Sequence, residues 1–189
     1  MTRLGVFGGT FDPPHVGHLI VASDACDVLR LDRMLFVPAA VPPHKPDGVV
    51  ATPEQRLEMV RAAIAGDARF EADDLELRRE GRSYSVDTLR ELRERYPDAE
   101  LFFVLGADQL RDFHSWREPG EIARLARLAA VARNGDPVPA IPYEVTRVPV
   151  TRIDVSSTDV RRRIAEGRSV RYLLPEGVAE VVREYGLYR

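Results

Sequence analysis

RLGVFGGTFDPPHVGHLIVASDACDVL, residues 3–29, sets how the rest of the chain is read. Arg3 to Phe7 is an apolar run that fits a buried strand. A turn rich in glycine and proline follows, and an apolar stripe at Leu19, Ala22, Cys26 and Leu29 then repeats at helical spacing. The same alternation recurs downstream. Met34 to Val37 reads as a second strand closed by Pro38, and residues 39–52 as a loop. Thr52-Pro53 gives an N-cap and a first-turn proline to a helix along Leu57, Val60 and Ile64.

Phe70 to Leu77 reads as an extended segment and Asp87 to Arg95 as a helix ended by Tyr96-Pro97. Leu101 to Leu105 is the most apolar run, a central strand buried on both faces. Short helices follow through Ala126, then strands at Leu128–Ala132 and Val145–Val150. Ser157–Ala165 and Val178–Tyr185 close the chain as helices. Strands separated by helices predict an α/β fold: a doubly wound, mostly parallel sheet with a small C-terminal helical segment, residues 1–189 forming one domain. In such sheets ligands bind beyond the carboxyl ends of the strands.

Composition narrows the partners. The 189 residues are 44% hydrophobic and 30% charged, with a net charge of −3, which gives no broad basic surface for nucleic acid or membrane. The single cysteine, Cys26, cannot form an internal disulfide and fits a buried, inert thiol in a reducing cytoplasm. No apolar run approaches a membrane span, and no signal-peptide core opens the sequence. Of the 27 basic residues only Lys45 is a lysine.

Chemistry-bearing residues gather at the strand ends. Beyond the first strand, Gly8, Gly9, Thr10 and Phe11 lead to His15 and His18, three apart and so on one helical face. Glycines allow close backbone approach, and a helix start offers N–H groups to an anion. Gly17 between the histidines leaves room for a phosphate. The turn is neither a Walker A loop nor a dinucleotide G-x-G-x-x-G. A metal pair lacks a nearby third ligand.

His44 and Lys45 stand on a proline-stiffened loop after the second strand. Asp108, after Gly106, suits ribose hydroxyls, with an N-cap as its rival role. Ser156, Ser157 and Thr158 precede a helix carrying Arg161 one turn inward. They read as helix caps, as a polyanion site, or as both.

These motifs together resemble the HxGH nucleotidyltransferase superfamily. Pro-Pro-His-Lys, Ser83-Tyr84-Ser85, Gly-x-Asp and Phe113-x-x-Trp116 make the chain similar, within it, to the bacterial nicotinate-nucleotide adenylyltransferases. The resemblance implies a Rossmann-like nucleotidyltransferase fold and transfer of AMP from ATP to nicotinate mononucleotide, giving deamido-NAD and pyrophosphate in NAD biosynthesis.

It also implies roles. His15 and His18 would hold the ATP phosphates as hydrogen-bond donors, protonated or neutral, beside the Gly8–Phe11 backbone. Ser156, Ser157, Thr158 and Arg161 would take the departing pyrophosphate, and Gly106 and Asp108 the adenosine ribose. Lys45 with His44 would neutralise phosphates. Trp116 would stack on the pyridine ring while the 84–86 loop, with Tyr84 and Ser85, binds its carboxylate. Ser85 stands where the family usually has Thr, and Val155 where Ile is common.

Mg²⁺ is expected as the ATP complex, with no dedicated metal site. Rival readings are a dual-specificity, nicotinamide-mononucleotide or phosphopantetheine adenylyltransferase, a tRNA synthetase fragment, and a catalytically silent nucleotide-binding protein. The missing Lys-Met-Ser-Lys-Ser loop argues against the synthetase. The sequence leaves the oligomeric state open, a homodimer being one option.

Overall fold

Alternation along the first strand decides which face each residue serves. In the computed structural model, which describes residues 1–42, 48–133 and 137–189, β1 (Arg3–Gly9) turns Leu4 and Val6 to one face of the sheet and Phe7 to the other. Leu4 and Val6 join a core with Leu35, Leu101, Phe103 and the helices over that face. Phe7 joins Phe36, Phe102 and the opposite layer.

The remaining strands among the described residues are β2 (Arg33–Pro38), β3 (Phe70–Ala72), β4 (Glu100–Gly106), β5 (Arg127–Arg133) and β6 (Val145–Val150). They lie in the order β3-β2-β1-β4-β5-β6 with every pairing parallel. The doubly wound expectation holds, and the sheet is wholly rather than mostly parallel.

Helices α1 (Val16–Leu29) and α2 (Pro53–Ile64) cover one face, and α3 (Ser85–Arg95) and α5 (Pro119–Leu125) the other; α4 (Ala107–Arg111) and a 3₁₀ turn (Phe113–Ser115) follow β4. Capping starts α2: the Thr52 hydroxyl accepts from the Gln55 N–H at 3.3 Å, and the Gln55 amide oxygen accepts from the Thr52 N–H at 2.9 Å. Helices α6 (Ser157–Ala165) and α7 (Glu176–Glu184) build a third core with α2, in which Val160, Val178 and Val182 meet Met59. No helix among the described residues is long and apolar enough to cross a membrane.

Chain winding reverses between β1 and β4. Their pairing stops at Val6 opposite Phe103, whereas β1 stays with β2 as far as Gly9 and β4 with β5 as far as Gly106. The two central strands thus part over their last three residues. That split is the crevice in which an open parallel sheet binds ligands.

Two expectations need correction. The extended run at 70–77 is a strand only over Phe70–Ala72, because the Asp73 carboxylate accepts the Leu75 N–H at 3.0 Å and turns the chain. The 84–86 segment is not a loop: Tyr84 caps α3 and Ser85 is its first residue.

Candidate active site

At the end of β1 the backbone bends sharply. Phe11 takes a φ of +51°, and its ring lies where a Cβ on Gly9 would come within 2.9 Å, so glycine is needed there. A Cβ on Gly8 would meet nothing within 4 Å; that position is open. His15 then caps α1 in an extended conformation.

The predicted meeting of His15 and His18 is present. Their rings stand 3.8 Å apart between centroids at 30°, and the His18 ring also sits edge-on to Phe11. The His15 N–H donates to His18 Nδ1 at 3.1 Å. An acceptor at Nδ1 leaves a neutral ring with its proton on Nε2, which makes Nε2 a donor.

Electrostatics settle the protonation question left open by sequence. Burial lowers the His15 pKa to about 4, and burial together with His15 lowers that of His18 well below the ordinary value. The pair is therefore neutral near pH 7. Buried His15 Nδ1 has no hydrogen-bond partner among the described residues. An open buried polar atom of this kind costs about 1–3 kcal/mol and calls for a reason, such as a role toward a ligand.

Opposite the histidines stands the start of α6. Ser156 is its cap, accepting from the Asp159 N–H at 3.1 Å, and Ser157 Oγ donates to the Pro13 carbonyl at 2.9 Å. Ser156 thus serves as the cap reading required, whereas Ser157 ties the helix to the turn after β1. The first-turn N–H groups of Ser157 and Thr158 have no intrahelical acceptor, and both residues line the same cavity as Arg161. Arg161 donates to the Asp12 carbonyl at 2.8 Å and to Thr158 Oγ1 at 3.4 Å.

A cavity of about 250 Å³ joins Thr10, His15, His18, Ser156, Ser157, Thr158 and Arg161. Gly17 serves packing rather than ligand space: a Cβ there would lie 2.9 Å from Val155 and 3.0 Å from the His15 ring. The N–H of Val16 is also not free for an anion, because it donates to the Leu173 carbonyl at 3.0 Å.

Across the crevice, Asp108 lies in the first turn of α4, whose cap is Gly106. The N-cap reading of Asp108 therefore fails. Its side chain is 86% exposed and ion-paired with Arg111 at 2.7 Å. Trp116 is half-buried, 5.5 Å from the Phe113 ring and 6.2 Å from Phe103, in the same apolar cluster as Tyr84. Ser85 opens α3 beside them; the N–H groups of Ser85 and Val86 have no acceptor within the helix, while that of Asp87 donates to the Tyr84 carbonyl at 3.1 Å. Ser83 holds that turn against the loop after β2: its hydroxyl accepts from the Ala40 N–H at 2.9 Å, and its N–H donates to the Val41 carbonyl at 3.1 Å. His44 and Lys45 lie outside the described residues.

Two functional supports escaped the sequence reading. Asp12 is 2% exposed and accepts from the N–H groups of Val50 and Ala51 and from the Tyr188 hydroxyl. Arg56, 1% exposed, donates to three backbone carbonyls, those of Thr10, Ala40 and Ala51. It ties the ends of β1 and β2 to the start of α2. A charge at the position preceding Met59 and Val60 by three and four residues, on the apolar face of α2, was its signal. Among the described residues, no group of three or more His, Cys, Asp or Glu could hold a metal ion.

Known proteins are similar to this chain. The cytidylyltransferase-like family model matches residues 6–163. A Thermus thermophilus protein described as "Probable nicotinate-nucleotide adenylyltransferase" is 51% identical over 187 residues, covering 99% of this chain and all of that one. A protein of the same description from Exiguobacterium sibiricum is 44% identical, covering 98% of each chain. Among solved structures, Plasmodium falciparum nicotinic acid mononucleotide adenylyltransferase complexed with NaAD superposes with a TM-score of 0.80 at 18% identity, covering 100% of this chain and 98% of that one. At that identity the likeness speaks for the fold.

Proposed function

The chain belongs to the cytidylyltransferase-like family, and from that premise we propose that it is a nicotinate-nucleotide adenylyltransferase, joining nicotinate mononucleotide to ATP in NAD biosynthesis. The observation that carries this reading is the cavity between the turn after β1 and the start of α6, where a stacked, neutral histidine pair stands with Arg161. Relatives of the same description, up to 51% identical over the whole chain, support the substrate assignment.

The nicotinate mononucleotide 5′-phosphate attacks the α-phosphorus of ATP in line. A new P–O bond forms as the bond from the α-phosphorus to the bridging oxygen breaks, and that electron pair leaves with pyrophosphate. A phosphate dianion is nucleophilic already, so positioning and charge stabilisation suffice. His18 donates from Nε2 to the reacting phosphate, and His15 lies beside it. Arg161 and the N–H groups of Ser157 and Thr158 receive the charge that develops on pyrophosphate. ATP would enter as its Mg²⁺ complex, the ion resting on its phosphates, since among the described residues the carboxylate that lines the cavity, Asp12, already accepts three hydrogen bonds.

On the far side, Asp108 and Gly106 take the adenosine ribose and the Gly8–Phe11 backbone lines the nucleotide. Trp116 stacks on the pyridine ring, and the first turn of α3 at Tyr84 and Ser85 takes its carboxylate. Lys45 and His44 add charge to the phosphates. Residues 1–189 act as one domain. A cytoplasmic setting fits the lone Cys26 thiol, whose pKa burial raises to about 11.

Pyrophosphate release with ATP and Mg²⁺ tests the assignment. The expected kcat/KM for nicotinate mononucleotide exceeds that for nicotinamide mononucleotide by about 100-fold, or ~3 kcal/mol. Equal values would keep adenylyl transfer and remove the assigned role of the α3 turn. No release with either would leave the silent nucleotide-binding reading.

A further inference from the structure

Asp12 lies inside the turn that carries the histidines, yet its carboxylate is committed to the protein. Oδ2 accepts from Val50 N–H at 2.9 Å, while Oδ1 accepts from Ala51 N–H at 3.1 Å and from the Tyr188 hydroxyl at 2.7 Å. Its backbone carbonyl receives Arg161 NH1 at 2.8 Å, and the same guanidinium nitrogen lies 4.0 Å from Oδ2. One residue thus joins the turn, the loop before α2, the anion-facing arginine and a segment 176 positions later.

Tyr188 is built into this place. It is buried, takes a φ of +64° that side chains rarely adopt, and packs in the third core with Met59, Val160 and Leu187. Burial and the Asp12 carboxylate push its hydroxyl well above the ordinary range, so it remains a donor.

We infer that Tyr188 is a positioning residue for the reaction: through Asp12 it fixes where Arg161 presents its charge to the departing pyrophosphate. The inference rests on the adenylyl-transfer reading above. Without the hydroxyl, Oδ1 keeps one donor, at 3.1 Å. The less satisfied carboxylate then competes for the guanidinium already 4.0 Å away and draws it from the cavity.

Tyr188→Phe keeps the ring and removes the donor. Its kcat is expected to fall about tenfold with KM for nicotinate mononucleotide within about twofold, because a misplaced group costs turnover more than binding. Affinity for inorganic pyrophosphate, measured by calorimetry, is expected to fall by a similar factor. Arg161→Ala loses more in both, and the double variant is no worse than Arg161→Ala alone, as coupled residues require.

Losses that multiply in the double variant, or a Tyr188→Phe kcat within about twofold of the parent, overturn the inference. If Tyr188→Phe does not melt cooperatively, it is measured in an Asp12→Asn background, where no carboxylate is left to draw the guanidinium: no loss beyond that of Asp12→Asn alone is expected, and a further tenfold loss overturns the inference. A parent protein that binds pyrophosphate but releases none from ATP with either mononucleotide counts against adenylyl transfer. The pyrophosphate affinities then decide the Tyr188 role by themselves.

Discussion

The two banks of the crevice are built on opposite plans. On the β1 bank most polar groups are bonded before any substrate arrives, His15 Nδ1 excepted: Arg56 to three carbonyls, Asp12 to three donors, Ser157 to Pro13 and Val16 to Leu173. On the β4 bank, Asp108 stands in solvent on a five-residue helix, His114 is exposed, and Trp116 keeps only part of its ring in the core. The difference follows the chemistry assigned to each side. Donors that stabilise developing phosphate charge act best when held in advance in a water-poor site. Groups that recognise a ribose and a ring need surface access.

The sharpest test of that contrast is His18→Ala. On the fixed bank it should cut kcat by about 10²–10³-fold, the scale of losing a preorganised donor. Stability should fall by only about 1–2 kcal/mol, an ordinary loss for a half-buried ring. Pyrophosphate release and urea unfolding on the same preparation give both numbers, and comparable losses in the two would remove the catalytic role.

Next in size is a pH effect. His15 is neutral when folded down to about pH 4, whereas the unfolded chain takes up its proton near 6.5. As pH falls through that window the unfolded state binds a proton the folded state refuses, so stability drops by about 3 kcal/mol and this contribution then levels off. Urea unfolding between pH 7 and 4 should show the slope in the parent and a shallower one in His15→Asn, which keeps the part that His18 contributes. Identical slopes would mean that the histidine is not buried as a neutral ring.

The smallest effect belongs to the open bank. Asp108→Ala should raise KM for ATP about tenfold with little change in kcat, as loss of uniform binding does. Its melting temperature should stay near that of the parent, because an exposed pair such as Asp108–Arg111 contributes little. A large stability loss would place Asp108 with the structural residues and erase the distinction between the banks.

What could be read in advance followed the range of the interactions. The strands and the stacked histidines were legible because side-chain alternation and three-residue helical spacing are local rules. The start of α3 was hidden because Tyr84 is an unusual cap, lacking the short acceptor side chain that marks most helix starts. Asp73 concealed a turn inside an apparently extended run by bonding its own backbone two residues on. Gly17 was correctly singled out but for another reason, since the space it leaves is filled by Val155 and His15. Arg56 left a signal as a charge on an apolar helix face. Tyr188 left none, because its partner is set by tertiary packing alone.

That distance has a consequence for synthesis. Asp12 emerges from the ribosome early, with Arg161 and then Tyr188 translated long afterwards. The carbonyl of Leu173 that receives the first N–H of α1 is likewise a late arrival. While β1 to β4 are being made, the aspartate beside the histidines still lacks two of its contacts. The turn that carries the histidines therefore reaches its full set of bonds only after Arg161 and Tyr188 have been added.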